Sequence, residues 1–167
     1  MRKMTEQNLR AAFAGESQAH MKYLIFSDKA EKEGKPNVAR LFKAISFAEQ
    51  VHATNHFKTL HDLGDTSSNL QTAIDGETFE VEEMYPAYDA VAKLQGEKGA
   101  IQSIYGAMET EKVHAKMYKN AKDAVSSGKD LTLGNVHICE VCGYTVEGEA
   151  PDTCPVCKAK KDRFKKF

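Results

Sequence analysis

Glu49-Gln50-Val51-His52 and Glu111-Lys112-Val113-His114 are the same phrase, Glu-x-x-His, set twice into stretches of helical periodicity. At that spacing a helix projects both side chains from one face, about a turn apart. A carboxylate and an imidazole held so are half of a metal site, and two halves facing across a helical bundle make a dinuclear one. Such a site needs further acids from the other helices. Gly15-Glu16-Ser17 stands one helix before the first phrase and Gly76-Glu77-Thr78 one helix before the second. Glu80, three residues after Glu77, adds another carboxylate on the same face. Glu16, Glu49, His52, Glu77, Glu80, Glu111 and His114 are therefore the candidate ligands. A set of carboxylates and imidazoles without thiolates suits iron or manganese. One Glu-x-x-His arises by chance in charged helices. Two at matched spacing, each with an acid one helix earlier, form a specific pattern. His20 and His56, four residues after Glu16 and His52, fit packing or hydrogen bonding to ligands better than ligation. Tyr23 and Tyr85 could hydrogen-bond to ligands or line the pocket, and would serve nearly as well as plain core aromatics.

A second metal site is written in the cysteines. All four fall late in the chain, as Cys139-Glu140-Val141-Cys142-Gly143 and Cys154-Pro155-Val156-Cys157. Two Cys-x-x-Cys knuckles aim four thiolates at one ion, with Gly143 relaxing the turn after the first. The clustering speaks for a metal rather than a disulfide framework. So short a segment lacks the apolar burial to fold alone, so the ion must supply part of its folding free energy. Four thiolates suit zinc or a single iron. Spacing alone favours zinc, and a redox-capable neighbour raises the case for iron. Tyr144, Phe164 and Phe167 are expected to pack over the knuckles. The basic tail from Lys158 to Lys166 reads as a solvated face.

These residues require helices to carry them. Leu9, Phe13, Glu16, His20 and Tyr23 mark the inner stripe of a first helix, from an N-cap at about Thr5 to Gly34. Gly34-Lys35-Pro36 stops one helix and starts the next, which runs to about Leu63 with Val38, Leu41, Ile45, Glu49 and His52 inward. A polar loop spans residues 64–69. A third helix covers about 70–95, and Pro86 should remove a hydrogen bond and kink it near Tyr85. A fourth covers about 100–125, with Ile104, Met108, Glu111 and Tyr118 on one side. The two Glu-x-x-His phrases, and Tyr23 with Tyr85, recur at one common offset, and Glu16 with Glu77 falls one residue short of it. A duplicated helix pair therefore gives a four-helix bundle with approximate two-fold symmetry, whose second half adds Glu80 where the first has Ala19.

The 167 residues carry a net charge of -1, which argues against nucleic acid as the main partner. No apolar run is long enough for a membrane span, and the N-terminus enters an amphipathic helix without a secretory stretch, which favours the cytoplasm.

Gly15-Glu16-Ser17, Glu49-x-x-His52, Gly76-Glu77-x-x-Glu80, Met84-Tyr85-Pro86, Glu111-x-x-His114 and the two knuckles together resemble the rubrerythrins, over essentially the whole chain. The resemblance implies a mainly α fold: a ferritin-like di-iron four-helix bundle at 1–128, a linker at 129–134 and a rubredoxin-like domain with one four-cysteine iron at 135–167. Zinc stays open for either site. It implies two irons bridged by Glu49 and Glu111, with Glu80 exchanged for His52 on reduction and with Tyr23 and Tyr85 hydrogen-bonding to ligands. The implied activity is a non-haem peroxidase of oxidative-stress defence that reduces hydrogen peroxide to water. Its electrons would pass through the rubredoxin-like iron from a rubredoxin or an NAD(P)H-dependent rubredoxin reductase. A homodimer is implied, and the 64–69 loop would permit exchange of helices between copies. The alternative is a ferroxidase or iron-handling protein with a structural zinc ribbon.

Overall fold

The computed structural model describes residues 1–167 and falls into two compact units, Met1–Gly64 and Asp65–Phe167. The first unit is a helical hairpin, α1 (Lys3–Lys32) against α2 (Pro36–Thr59). Gly34, at φ +70°, and Pro36 in the first turn of α2 make the reversal as expected. Thr5 does not cap: α1 starts earlier, from Arg2, without a side-chain cap. The stripe assigned to α2 also differs. Residues buried in the hairpin are small: Ser27 and Ala30 on α1, Ala39, Ser46 and Ala53 on α2. Ser27 Oγ donates to the Ala39 carbonyl, and Ser46 Oγ to that of His20, both at 2.9 Å. Val38, Leu41 and Ile45 lie on the other side, 43%, 61% and 43% exposed. The periodic pattern is satisfied by two faces of α2. The helices close on the one with short side chains because two serine hydroxyls there reach the opposite backbone. Aromatic contacts flank the seam, Phe13 on Phe57 and Phe26 on Phe42, with centroids 5.2 and 5.5 Å apart.

In the second unit α3 (Thr66–Phe79) begins at Asp65, whose carboxylate accepts the Ser68 N–H at 2.8 Å. The loop expected through Asn69 thus ends earlier. Thr, Ser and Asn are weak in helix interiors but good at starts, and here they form the first turn. The disturbance expected at Tyr85 takes the form of a π turn over Glu80–Met84, where the Tyr85 N–H reaches back to the Glu80 carbonyl. Pro86 has no N–H to give, and its ring would crowd the carbonyl one turn back; the wider turn relieves both. The helix resumes as α4 (Tyr85–Gln95) and ends at Gly96 in the left-handed region. α5 (Lys98–Ser126) packs along α3 and α4. Beyond a stretch without helix or strand come three antiparallel strands, β1 (Val136–Cys139), β2 (Thr145–Glu147) and β3 (Phe164–Lys166), in the order β2-β1-β3. Phe164 pairs with Cys139 across β1 and β3 and is half-buried. Phe167 is instead 64% exposed, with the Lys165 ammonium over its ring.

Candidate metal centres

The structure gathers six of the candidate ligands into two groups of the same make, Glu16–Glu49–His52 in the first unit and Glu77–Glu111–His114 in the second, each with its donor atoms within 4.8 Å of one another. Their internal geometry matches. His52 Nδ1 lies 2.9 Å from a Glu49 oxygen and 3.9 Å from one of Glu16. His114 Nδ1 lies 2.6 Å from Glu111 and 4.0 Å from Glu77. With metal–ligand bonds of about 2.1 Å, neighbouring ligands stand about 3 Å apart and opposite ones about 4 Å. Both groups therefore fit one ion each, with Nδ1 as the histidine donor. The helix spacing delivers this directly, since residues three apart on α2 and on α5 share a face.

The second group is the less exposed. The His114 side chain is 29% exposed against 55% for His52. Burial, then a hydrogen bond that its protonated form gives to Glu111 and the charges of Glu111 and Glu80, push the Glu77 carboxyl up to about 7. Glu80, from the π turn, is raised by burial and by Glu111, while His114 pulls it down. It thus stands near Glu111 and His114, outside the three-atom group. Acids crowded enough to hold on to protons are what a cation would relieve. Burial and the charges of Glu80, Glu111 and Glu77 also raise Tyr85, so its phenol keeps its proton beside these acids. Tyr23 is placed differently, between Phe26 and Phe42. His20 is held by Ser46: its Nδ1 is 2.9 Å from both the Ser46 carbonyl and hydroxyl oxygens, so packing accounts for it.

The four cysteine sulfurs also converge, with Cys139 to Cys157 and Cys142 to Cys154 each 3.6 Å apart. That is too long for a disulfide. It is close to the edge, about 3.8 Å, of a tetrahedron with metal–sulfur bonds of about 2.3 Å. The knuckles match in backbone: the Gly143 N–H bonds the Cys139 carbonyl at 2.8 Å, and that of Lys158 the Cys154 carbonyl at 3.0 Å. Cys139 and Cys154 are buried, Cys142 and Cys157 partly exposed. Burial raises Cys142 and Cys157. For Cys154 burial is outweighed by the amides of Cys157 and Val156, which hold it low.

Three residues without a sequence signal bring the knuckles onto α5. Gly106 leaves room for Cys142, Thr110 donates to the Cys142 carbonyl at 3.2 Å, and Thr145 Oγ1 lies 2.9 Å from His114 Nε2. Threonine and glycine are too common for spacing to single them out.

Residues 7–122 match the family Rubrerythrin, and residues 137–165 match Rubrerythrin, rubredoxin-like domain. Rubrerythrin-2 of Clostridium acetobutylicum is 45% identical, over 98% of this chain and 97% of its own length. Nigerythrin of Nitratidesulfovibrio vulgaris is 32% identical, over 96% and 85%. The solved structure of nigerythrin in its fully reduced, all-ferrous state superposes with a TM-score of 0.57 at 31% identity, over 98% of this chain and 86% of that one. Both donor sets suit the metals of such a protein: two irons among carboxylates and imidazoles, one iron among thiolates. The helical part and the cysteine part thus find their counterparts in the same order along one relative after another, and the chain belongs to the rubrerythrin family.

Proposed function

We propose that this protein is a peroxidase that reduces hydrogen peroxide to water, with electrons entering through the four-cysteine site from a rubredoxin or an NAD(P)H-dependent reductase. The observation that carries the reading is the pair of matched Glu–Glu–His groups, accompanied in the second unit by a thiolate site seated on the helix that holds one of them. When bound, two ferrous ions supply the two electrons that the O–O bond takes up, and a four-thiolate iron replaces them singly.

The residues divide the work as follows in this reading. Glu16, Glu49, Glu77 and Glu111 would supply the carboxylates that hold the two ions, with Glu49 and Glu111 the two that both ions would share, as the resemblance implies. His114 would remain a ligand throughout, while Glu80 and His52 would be the residues that trade places, as the resemblance implies. Support for a mobile Glu80 comes from its place at the start of a π turn, where the helix already departs from regular bonding. Support for a mobile His52 comes from its exposure, about twice that of His114. Tyr85 remains a phenol and can donate a hydrogen bond near Glu80. Tyr23, half-buried beside Phe26 and Phe42, would hydrogen-bond to a ligand through its hydroxyl while its ring packs with these two. We infer a homodimer as the working form.

The test is Cys142→Ser in iron-loaded protein of measured metal content. Reductase-driven turnover should stop, while one oxidation of the chemically reduced carboxylate site by peroxide should survive. Loss of both with that iron still bound would overturn the division of labour. A protein that matures with zinc on its cysteines and oxidises only with dioxygen would be an iron-handling ferroxidase instead.

A further inference from the structure

The seam between the four-cysteine domain and α5 is specified atom by atom. A Cβ on Gly106 would stand 3.3 Å from Cys142 Cβ, so the helix offers only backbone there and the knuckle comes in close. One turn on, buried Thr110 turns its hydroxyl to the carbonyls of Gly106 and Cys142, at 2.9 and 3.2 Å. A further turn on, His114 Nε2 meets Thr145 Oγ1, and Thr145 is 4% exposed.

The hydroxyl of Thr145 decides whether Nε2 of the ring carries a hydrogen. Its hydroxyl has one proton, and the Gly143 carbonyl, 3.0 Å away, can only accept. The proton is committed there, so Thr145 accepts from His114 and Nε2 carries the hydrogen. With Nε2 so occupied, Nδ1 is the ring nitrogen turned to Glu111 and Glu77, 2.6 and 4.0 Å away, and the one that would offer its lone pair to an ion held there. His52 has no such anchor: its ring bonds Glu49 through Nδ1 and makes no hydrogen bond through Nε2.

We propose that Thr145 is a positioning residue supplied by the four-cysteine domain: it locks His114 in the metal-binding tautomer and completes a hydrogen-bonded route from Cys142 to His114 within one chain. The route runs from Cys142 through the peptide to the Gly143 carbonyl, across the Thr145 hydroxyl and into the His114 ring. Its electron-carrying half rests on the peroxidase reading above. Each passage moves one electron. The four-thiolate iron goes from ferrous to ferric, the carboxylate–histidine site is reduced by one, and no bond along the route forms or breaks. Two passages match the two electrons taken by peroxide.

The test compares wild type, Thr145→Val and Thr145→Ser as full-length protein. The first readout is 15N NMR of zinc-loaded protein, following exchange of the His114 Nε2 hydrogen with water. It should be slow in wild type and Thr145→Ser and fast in Thr145→Val. The second is the return of the ferric four-thiolate colour after one equivalent of peroxide is added to fully reduced, iron-loaded protein. Thr145→Val should slow it about 10- to 100-fold, as loss of a partner to a metal-bound histidine generally does, and Thr145→Ser should restore it. Wild-type behaviour of Thr145→Val in both readouts overturns the proposal. If the colour never returns in wild type although the carboxylate site oxidises, the route falls and positioning is decided by the NMR readout alone. If peroxide oxidises neither site, the peroxidase reading itself is what fails.

Discussion

Glu77 is the acid whose surroundings, burial first and then Glu111 and Glu80, favour the protonated form most. Its carboxyl holds a proton up to about 7 in the folded, metal-free chain, against 4.5 when free in water. Between those values the native state binds more protons than the unfolded one, so stability falls as pH rises. Metal-free protein should therefore melt at a lower temperature at pH 7 than at pH 5, and Glu77→Gln should flatten that slope in a series of thermal melts. An equal slope in the variant would remove Glu77 as its source. Iron reverses the sign, because binding needs the carboxylate and so tightens with rising pH. At this scale the sequence was most legible where type and spacing both carry meaning. Glu49 and His52 declare themselves because Glu111 and His114 repeat them at matched spacing, and Cys139 and Cys142 because a second knuckle follows. Thr145 does not, since its role comes from a fold that brings β2 onto α5, across a separation that no local pattern encodes.

Among the elements, the two knuckles show how one backbone need is met twice. Gly143 has φ +83°, and Lys158, at the same point of the second knuckle, has φ +65°. The left-handed region costs a residue with a side chain about 1–2 kcal/mol, and glycine almost nothing. Lys158→Gly should therefore stabilise the holo domain by about 1 kcal/mol after the extra freedom of the unfolded glycine is offset. Chemical denaturation followed through the four-thiolate absorption checks it, and an unchanged or lower midpoint would place the strain elsewhere. The helices were legible in number and order because their apolar periods are long. Which face meets which neighbour was not. Periodicity in α2 supports both the stripe through Val38, Leu41 and Ile45 and the stripe through Ala39, Ser46 and Ala53. Side-chain size favoured the first as core, whereas serine hydroxyls reaching opposite carbonyls select the second for the hairpin. Pro86 foretold an irregular third helix, but not that it would be absorbed as a π turn beginning at Glu80.

Taken whole, the chain carries more exposed large apolar residues than an isolated protein of this size tolerates well. Leu41, Ile45 and Phe47 in the first unit, and Phe79, Val91 and Leu94 in the second, are each at least 43% exposed. The proposed homodimer would cover such faces. Sedimentation should give twice the chain mass, and Leu41→Glu with Ile45→Glu should shift the protein toward a single chain while its helical circular dichroism persists. A monomeric wild type would remove the argument. No helix is long and apolar enough to cross a membrane. The division at Gly64 has a kinetic side as well. Each unit closes within its own stretch of chain, and each brings three ligands of its own. A newly made half can thus seize its first ion early, so the order in which metal arrives becomes part of how the molecule matures.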